Sequence, residues 1–161
     1  MPCGPNCRII FHESVNTDLH VVCPHCHATN RVLRERLASS PRCGSCRALL
    51  LPAHPLDLNS AGFDRHVASD DLPLVVDFWA PWCAPCRMMA PAYTQAAAQL
   101  GTKARLAKLD TEAEPAIAAR YGIRSIPTLI AFAGGREIAR QSGALDGARL
   151  LAWIRTQFPQ L

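Results

Sequence analysis

Cys83 and Cys86 stand two residues apart, between the apolar run Leu74-Val75-Val76-Asp77-Phe78-Trp79 and a helix-like segment that continues to residue 100. A Cys-x-x-Cys pair at a strand-to-helix junction has a specific chemistry. The first sulfur lies over free backbone N–H groups and the positive end of the helix dipole, which stabilise its thiolate. That thiolate is the nucleophile of thiol–disulfide exchange, and a second thiol one turn on can resolve the mixed disulfide. Cys83 therefore reads as the nucleophile, Cys86 as the resolving thiol, and the chain as a dithiol oxidoreductase. Asp77 is anomalous inside an apolar strand. A buried carboxylate is costly unless neutral or paired, so its pKa is expected to rise, which suits a proton acceptor for Cys86.

Four other cysteines form a second chemical group. Cys23-Pro24-His25-Cys26 and Cys43-Gly44-Ser45-Cys46 are separated by sixteen residues, within the spacing of a four-cysteine zinc ribbon. Two such knuckles supply the tetrahedral thiolate set of a closed, structural Zn²⁺ site. Gly44 is expected to provide a positive φ within its knuckle. So small a module buries little core, and the metal is expected to supply most of its folding energy. Two disulfides or free thiols are the competing reading, disfavoured by compartment and spacing. His25 and His27 read as exposed knuckle residues rather than ligands. Cys3 and Cys7, in a turn-like Cys-Gly-Pro-Asn-Cys, receive no essential role, nor do His12 and His20.

Composition bounds the remaining classes. The 161 residues are 49% hydrophobic and 19% charged, enough for one ordinary domain and a small module. The net charge of +4, which zinc held by four thiolates would lower by two, makes no case for nucleic acid or a membrane surface as partner. No run reaches the length of a membrane span, and residues 1–22 lack the pattern of a secretory signal. The expected location is the cytoplasm, where eight cysteines point to metal or redox catalysis rather than structural disulfides.

The elements that must position these groups follow from period and punctuation. Residues 1–20 read as a tail, 21–52 as the zinc ribbon and 53–161 as the larger domain, with 53–57 a proline-stiffened linker. In the larger domain, residues 56–58 suggest a short strand. A helix capped by Asn59 or Ser60 runs to 69, and residues 74–79 form a strand buried on both faces. A helix over 83–100 contains Pro91, expected to kink it. A strand over 104–109, a helix over 112–121 begun by Glu112 and Glu114, a hairpin of 128–133 and 136–141, and a last helix over 146–158 complete the order βαβαβαββα. Leu150, Leu151, Ile154 and Phe158 mark the last helix's buried face. This implies a mixed sheet with parallel crossovers and one antiparallel hairpin, covered by helices on both sides.

Asp77-Phe78-Trp79-Ala80-Pro81-Trp82-Cys83-Ala84-Pro85-Cys86, Ala107-Lys108-Leu109-Asp110, Tyr121-Gly122-Ile123-Arg124-Ser125-Ile126-Pro127-Thr128 and Gly143-Ala144 resemble the thioredoxins in order and spacing over about residues 56–161. With the four-cysteine module in front, the chain is similar to the zinc-containing bacterial thioredoxins, the thioredoxin 2 group. It departs from them in Ala84, where Gly-Pro is the usual central dipeptide, and in the segment carrying Cys3 and Cys7. The resemblance implies a thioredoxin fold preceded by a Cys₄ zinc ribbon, with Cys83 attacking and Cys86 resolving. It implies that Lys108 tunes Asp77 and that the Ile126–Pro127 bond is cis. Trp82, Ala84, Pro85, Ile126, Pro127, Gly143 and Ala144 would then bind an extended peptide in a shallow groove, with Trp79 as packing behind the site.

The implied activity is reduction of protein disulfides by a cytoplasmic monomer with structural Zn²⁺ and no bound nucleotide, regenerated by an NADPH-dependent thioredoxin reductase. Two alternatives stand beside it. One is a more oxidising disulfide oxidase or isomerase, because the residues between the two cysteines tune potential. The other is an interaction or redox-sensing protein that uses the larger domain as scaffold for its ribbon.

Overall fold

The computed structural model describes residues 18–161; Cys3, Cys7 and His12 lie outside them. The chain first forms an antiparallel pair, β1 (Asp18–Val22) and β2 (Thr29–Leu33), followed by a 3₁₀ helix, Arg34–Ser39. β1 thus takes in residues 18–20, which by sequence alone read as tail. Leu19, Val21, Val32, Leu37 and Leu50 make its small core together with Cys23 and Cys43.

The larger sheet has the strand order β3-β5-β4-β6-β7. β3 (Leu56–Asp57), β4 (Leu74–Trp79) and β5 (Arg105–Asp110) are parallel, and β6 (Thr128–Ala133) and β7 (Arg136–Ser142) are antiparallel additions. The expected mixed sheet is present. Alternation along the strands sorts two cores. Val75, Leu106, Leu129 and Ala131 pack under α2 (Ala84–Leu100) and α4 (Gly147–Gln157). Val76, Phe78, Ala107, Ile130 and Phe132 pack under α1 (Ser60–Ser69) and α3 (Pro115–Arg120), where Phe63 and Tyr121 form an edge-to-face aromatic cluster.

Local chemistry sets the ends of these helices. The Asn59 carboxamide accepts the Gly62 N–H at 2.8 Å and Asp146 accepts that of Arg149 at 2.9 Å, each a side-chain N-cap. α3 begins at Pro115, not Glu112: Asp110 Oδ1 takes the N–H groups of Glu112 and Ala113, holding 111–113 in a turn, and Pro115 is well suited to a helix's first position. On α4, Leu150, Ile154 and Phe158 are buried, whereas Leu151 is only half-buried.

The ribbon docks at the end of the sheet away from Cys83. Its contacts are with the lead into β4, the first residue of β5 and the α1 helix. Val22 N–H donates to Asp70, and the Asp71 carboxylate takes the His20 N–H at 2.7 Å and lies 3.0 Å from its ring. At the centre of this seam is Arg105, whose Nε lies 3.1 Å from Asp70 Oδ2. Its other nitrogens donate to Leu50 O of the ribbon at 2.7 Å and to His66 Nε2 at 3.1 Å. His66 must be neutral to accept that bond, since its Nδ1–H already donates to Gly62 O at 2.8 Å. Burial, reinforced by Arg105, pushes its pKa down to about 4.

Candidate active site and metal centre

The dithiol sits where β4 ends and α2 begins. Cys83 is the N-cap of α2, and its sulfur accepts the Cys86 N–H at 3.3 Å. This is the anion-stabilising position at a helix start, and Ala84 and Pro85 fill the helix's first two positions without needing to donate there. Cys83 and Cys86 are joined by a disulfide, with Cα atoms 5.3 Å apart. The Cys83 sulfur lies 3.8 Å from Ile126 O, and the Ile126–Pro127 peptide is cis.

Asp77 shares its face of β4 with Val75, the face that α2 covers. It is 1% exposed, and its Oδ1 has no hydrogen-bond partner among the described residues. Burial pushes its pKa up to about 7, and the charge of Lys108 pulls it partly back. Lys108 is its register partner on β5 but forms no ion pair with it among the described residues. The Lys108 ammonium instead lies 4.0 Å from the centroid of the half-buried Trp79 ring.

An open groove of about 530 Å³ runs beside the disulfide, lined by Trp82, Cys83, Ala84, Pro85 and Ile126 and, opposite, by Thr111, Ile123, Arg124 and Ser125. Pro127 is buried beneath it. Gly143 and Ala144 do not border this groove, but Gly143 N–H bonds to Pro127 O at 2.9 Å, which ties their turn to the cis-proline segment. Trp82, 63% exposed, is oriented by a 2.9 Å hydrogen bond from Nε1 to Glu112 Oε1. By sequence Glu112 reads as a helix-start charge, and nothing in local spacing signals a partner thirty residues away. Glu114 accepts the Ser60 hydroxyl.

The second cluster is fully assembled. The sulfurs of Cys23, Cys26, Cys43 and Cys46 all lie within 4.8 Å of one another, as four ligands of one metal must. The two knuckles repeat one geometry. Cys23 N–H bonds to Ala28 O and Cys43 N–H to Ala48 O, each at 2.9 Å, and the N–H groups of His25 and Ser45 point at the sulfurs of Cys23 and Cys43, each at 3.4 Å. Donors aimed at sulfur favour thiolates, the form a metal takes. The positive φ falls at His27 (59°) and Arg47 (67°), after the second cysteine of each knuckle, and not at Gly44. The left-handed residue there turns the chain back so that the sixth residue can bond to the first. Gly44 instead gives its N–H to Asn30 Oδ1 at 2.9 Å. His25 is exposed, while His27 is half-buried against α1, its ring edge-on to His66.

Fold and site together define a dithiol–disulfide oxidoreductase of the thioredoxin type. The thioredoxin family model matches residues 54–156, and the model of the thioredoxin 2 N-terminal zinc ribbon matches residues 22–48. Thioredoxin C-3 of Corynebacterium nephridii is 45% identical over 140 residues, spanning 87% of this chain and 96% of the relative. Thioredoxin 1 of a Nostoc strain is 47% identical over 88 residues, 55% of this chain and 82% of that protein. Among solved structures, a mutant thioredoxin from Halobacterium salinarum NRC-1 superposes with a TM-score of 0.61 at 32% identity, covering 68% of this chain and 96% of that one. The chain belongs to the thioredoxin family and carries the zinc ribbon of its thioredoxin 2 branch. Among the described residues, no helix is long and apolar enough to cross a membrane.

Proposed function

We propose that the protein reduces disulfides in other proteins through Cys83 and Cys86, in the cytoplasm and as a monomer. The observation that carries the reading is the placement of Cys83 as N-cap of α2, bonded to Cys86, together with the buried Asp77 carboxylate on the face of β4 that α2 covers, its Oδ1 without a hydrogen-bond partner among the described residues. The Cys83 thiolate attacks one sulfur of a substrate disulfide, forming a mixed disulfide and expelling the other sulfur as a thiolate. Cys86 gives its proton to the Asp77 carboxylate and attacks the Cys83 sulfur. The second substrate sulfur leaves, two electrons have passed to the substrate, and the enzyme holds the Cys83–Cys86 disulfide. A carboxylate with a pKa near 7 can take that proton and return it near neutral pH. Lys108 lowers the Asp77 pKa through space rather than by contact.

The groove would take an extended segment on either side of the target cysteine, with Trp82, Ala84, Pro85 and Ile126 as its apolar bed and main-chain groups at Ile126 as partners. Regeneration falls to an NADPH-dependent thioredoxin reductase, which returns two electrons to the disulfide. Zn²⁺ fits the four sulfurs of the ribbon: Cys23, Cys26, Cys43 and Cys46 would hold it, and it would neutralise thiolates and cross-link the two knuckles.

The test is NADPH-coupled reduction of insulin with thioredoxin reductase. Turnover that disappears in Cys83→Ser supports the reading, and no turnover in the wild-type protein refutes it. Equilibration with glutathione separates reductase from oxidant: a potential well above roughly −200 mV would make the protein an oxidase or isomerase.

A further inference from the structure

Among the described residues, nothing pairs with the outer edge of the ribbon sheet, which is fringed with arginine. β1 and β2 form a two-stranded sheet in which Val21 faces Asn30 and Leu19 faces Val32. His20 and Val22 turn their N–H groups away from β2, toward Asp71 and Asp70, so the larger domain covers the free edge of β1. Antiparallel pairing alternates, so Asn30 and Val32 bond inward to β1, while Thr29, Arg31 and Leu33 direct their main-chain groups outward. Among the described residues, no hydrogen bond satisfies the N–H or C=O of Arg31 on that side.

Beside this edge runs an open groove of about 470 Å³, bordered by Arg31 and Leu33 of β2, by Arg36 of the 3₁₀ helix, and by Pro41 and Arg42. Among the described residues, no carboxylate lines it. Arg31 pairs with Asp18 at 3.3 Å, and Arg42 donates to Arg47 O at 3.1 Å, but neither Arg36 nor Arg42 forms an ion pair among the described residues. The exposed Leu33 gives the groove an apolar contact. Two copies meeting edge to edge would bring their arginines together, which disfavours self-pairing and selects an acidic strand.

We infer that this edge is a docking site for an acidic, extended segment of a partner protein, which adds as a third strand to β2 and places its carboxylates on Arg31, Arg36 and Arg42. The alternating N–H and C=O groups of the edge match a peptide main chain and not a sugar–phosphate backbone. The groove belongs to the ribbon and the dithiol opens at the other end of β4, so a docked segment leaves the catalytic groove free. The site would hold a partner rather than reduce the bound segment.

The probe is a fluorescein-labelled peptide of alternating Glu and Val, titrated with the full chain and followed by anisotropy at about 50 mM salt, where charge pairing is weakly screened. The comparison probes are the same peptide N-methylated along one edge and a single-stranded oligonucleotide of equal charge. The plain peptide should bind at least about tenfold more tightly than either, and Arg36→Glu/Arg42→Glu should weaken it about tenfold or more without changing insulin reduction. Equal binding of the N-methylated peptide, or of the oligonucleotide, would overturn strand addition in favour of a plain polyanion patch. Undiminished binding by the double variant, or no binding by the wild-type protein up to about 1 mM, would overturn the site itself. Should charge reversal cost the ribbon its metal, the N-methylated comparison on the wild-type protein decides alone.

Discussion

Asp77 and Lys108 are register partners on neighbouring parallel strands, yet the Lys108 ammonium lies over the Trp79 ring, and the Asp77 carboxylate has no ion pair among the described residues. The buried acid therefore keeps a pKa raised to about 7, with burial the dominant cause.

That shift has a signed consequence for stability. The folded protein holds the Asp77 proton more tightly than the unfolded chain does. The stabilisation is complete below about pH 4 and is lost as pH rises through about 7. Asp77→Asn removes this titration. The variant should be more stable than wild type at pH 8, by on the order of 4 kcal/mol at most, and nearly equal to it at pH 4. Urea unfolding of both proteins across this range isolates Asp77 from His66 and Asp70, which titrate nearby. Under the proposed mechanism insulin turnover at pH 7 should fall about tenfold or more in the same variant, because Asn cannot take the Cys86 proton.

Arg105 and Asp70 form the buried pair between ribbon and larger domain. Removing one partner leaves the other charged and enclosed, so Arg105→Ala and Asp70→Asn should each cost roughly 3–5 kcal/mol. Arg105→Ala combined with Asp70→Asn should cost less than the sum of the single changes. A double-mutant cycle by urea denaturation checks this, and strict additivity would mean that the two side chains are not coupled.

Gly62 is where α1 meets the ribbon. A Cβ there would stand 2.7 Å from His27 Cε1, too close without movement. Gly62→Ala should destabilise by about 1–3 kcal/mol, and adding His27→Ala should recover most of that loss. Thermal unfolding of the single and double variants measures it.

Much of the fold was legible because its signals are local: apolar runs of strand length, Asn59 and Asp146 before helices, Gly134-Gly135 between two strands. The burial of Asp77 was legible as well, since a lone acid in the run from Leu74 to Trp79 has no exposed face to occupy. What stayed hidden depends on pairings distant in sequence. Nothing in the strand over 104–109 marks Arg105 for burial, which comes from the docked ribbon. Glu112 reads as a helix-start charge until Trp82 is seen to donate to it. The expected positive φ at Gly44 failed for a different reason. The left-handed turn of each knuckle follows its second cysteine, where His27 and Arg47 adopt it because the chain must turn back to close the Cys23–Ala28 and Cys43–Ala48 bonds.

The metal centre and the dithiol lie at opposite ends of β4, a strand of six residues and so roughly 20 Å long. Cys43→Ser should therefore lose bound metal and lower the melting temperature, yet leave insulin turnover within about twofold of wild type. Metal analysis and the turnover assay on one preparation read both effects.

The most direct test of the proposed chemistry is trapping. Cys86→Ser, reduced and mixed with a disulfide-containing protein, should accumulate a one-to-one mixed disulfide that peptide mass spectrometry assigns to Cys83. Failure to accumulate that adduct, or its assignment to Cys23, Cys26, Cys43 or Cys46, would contradict the assignment of Cys83 as nucleophile and Cys86 as resolving thiol.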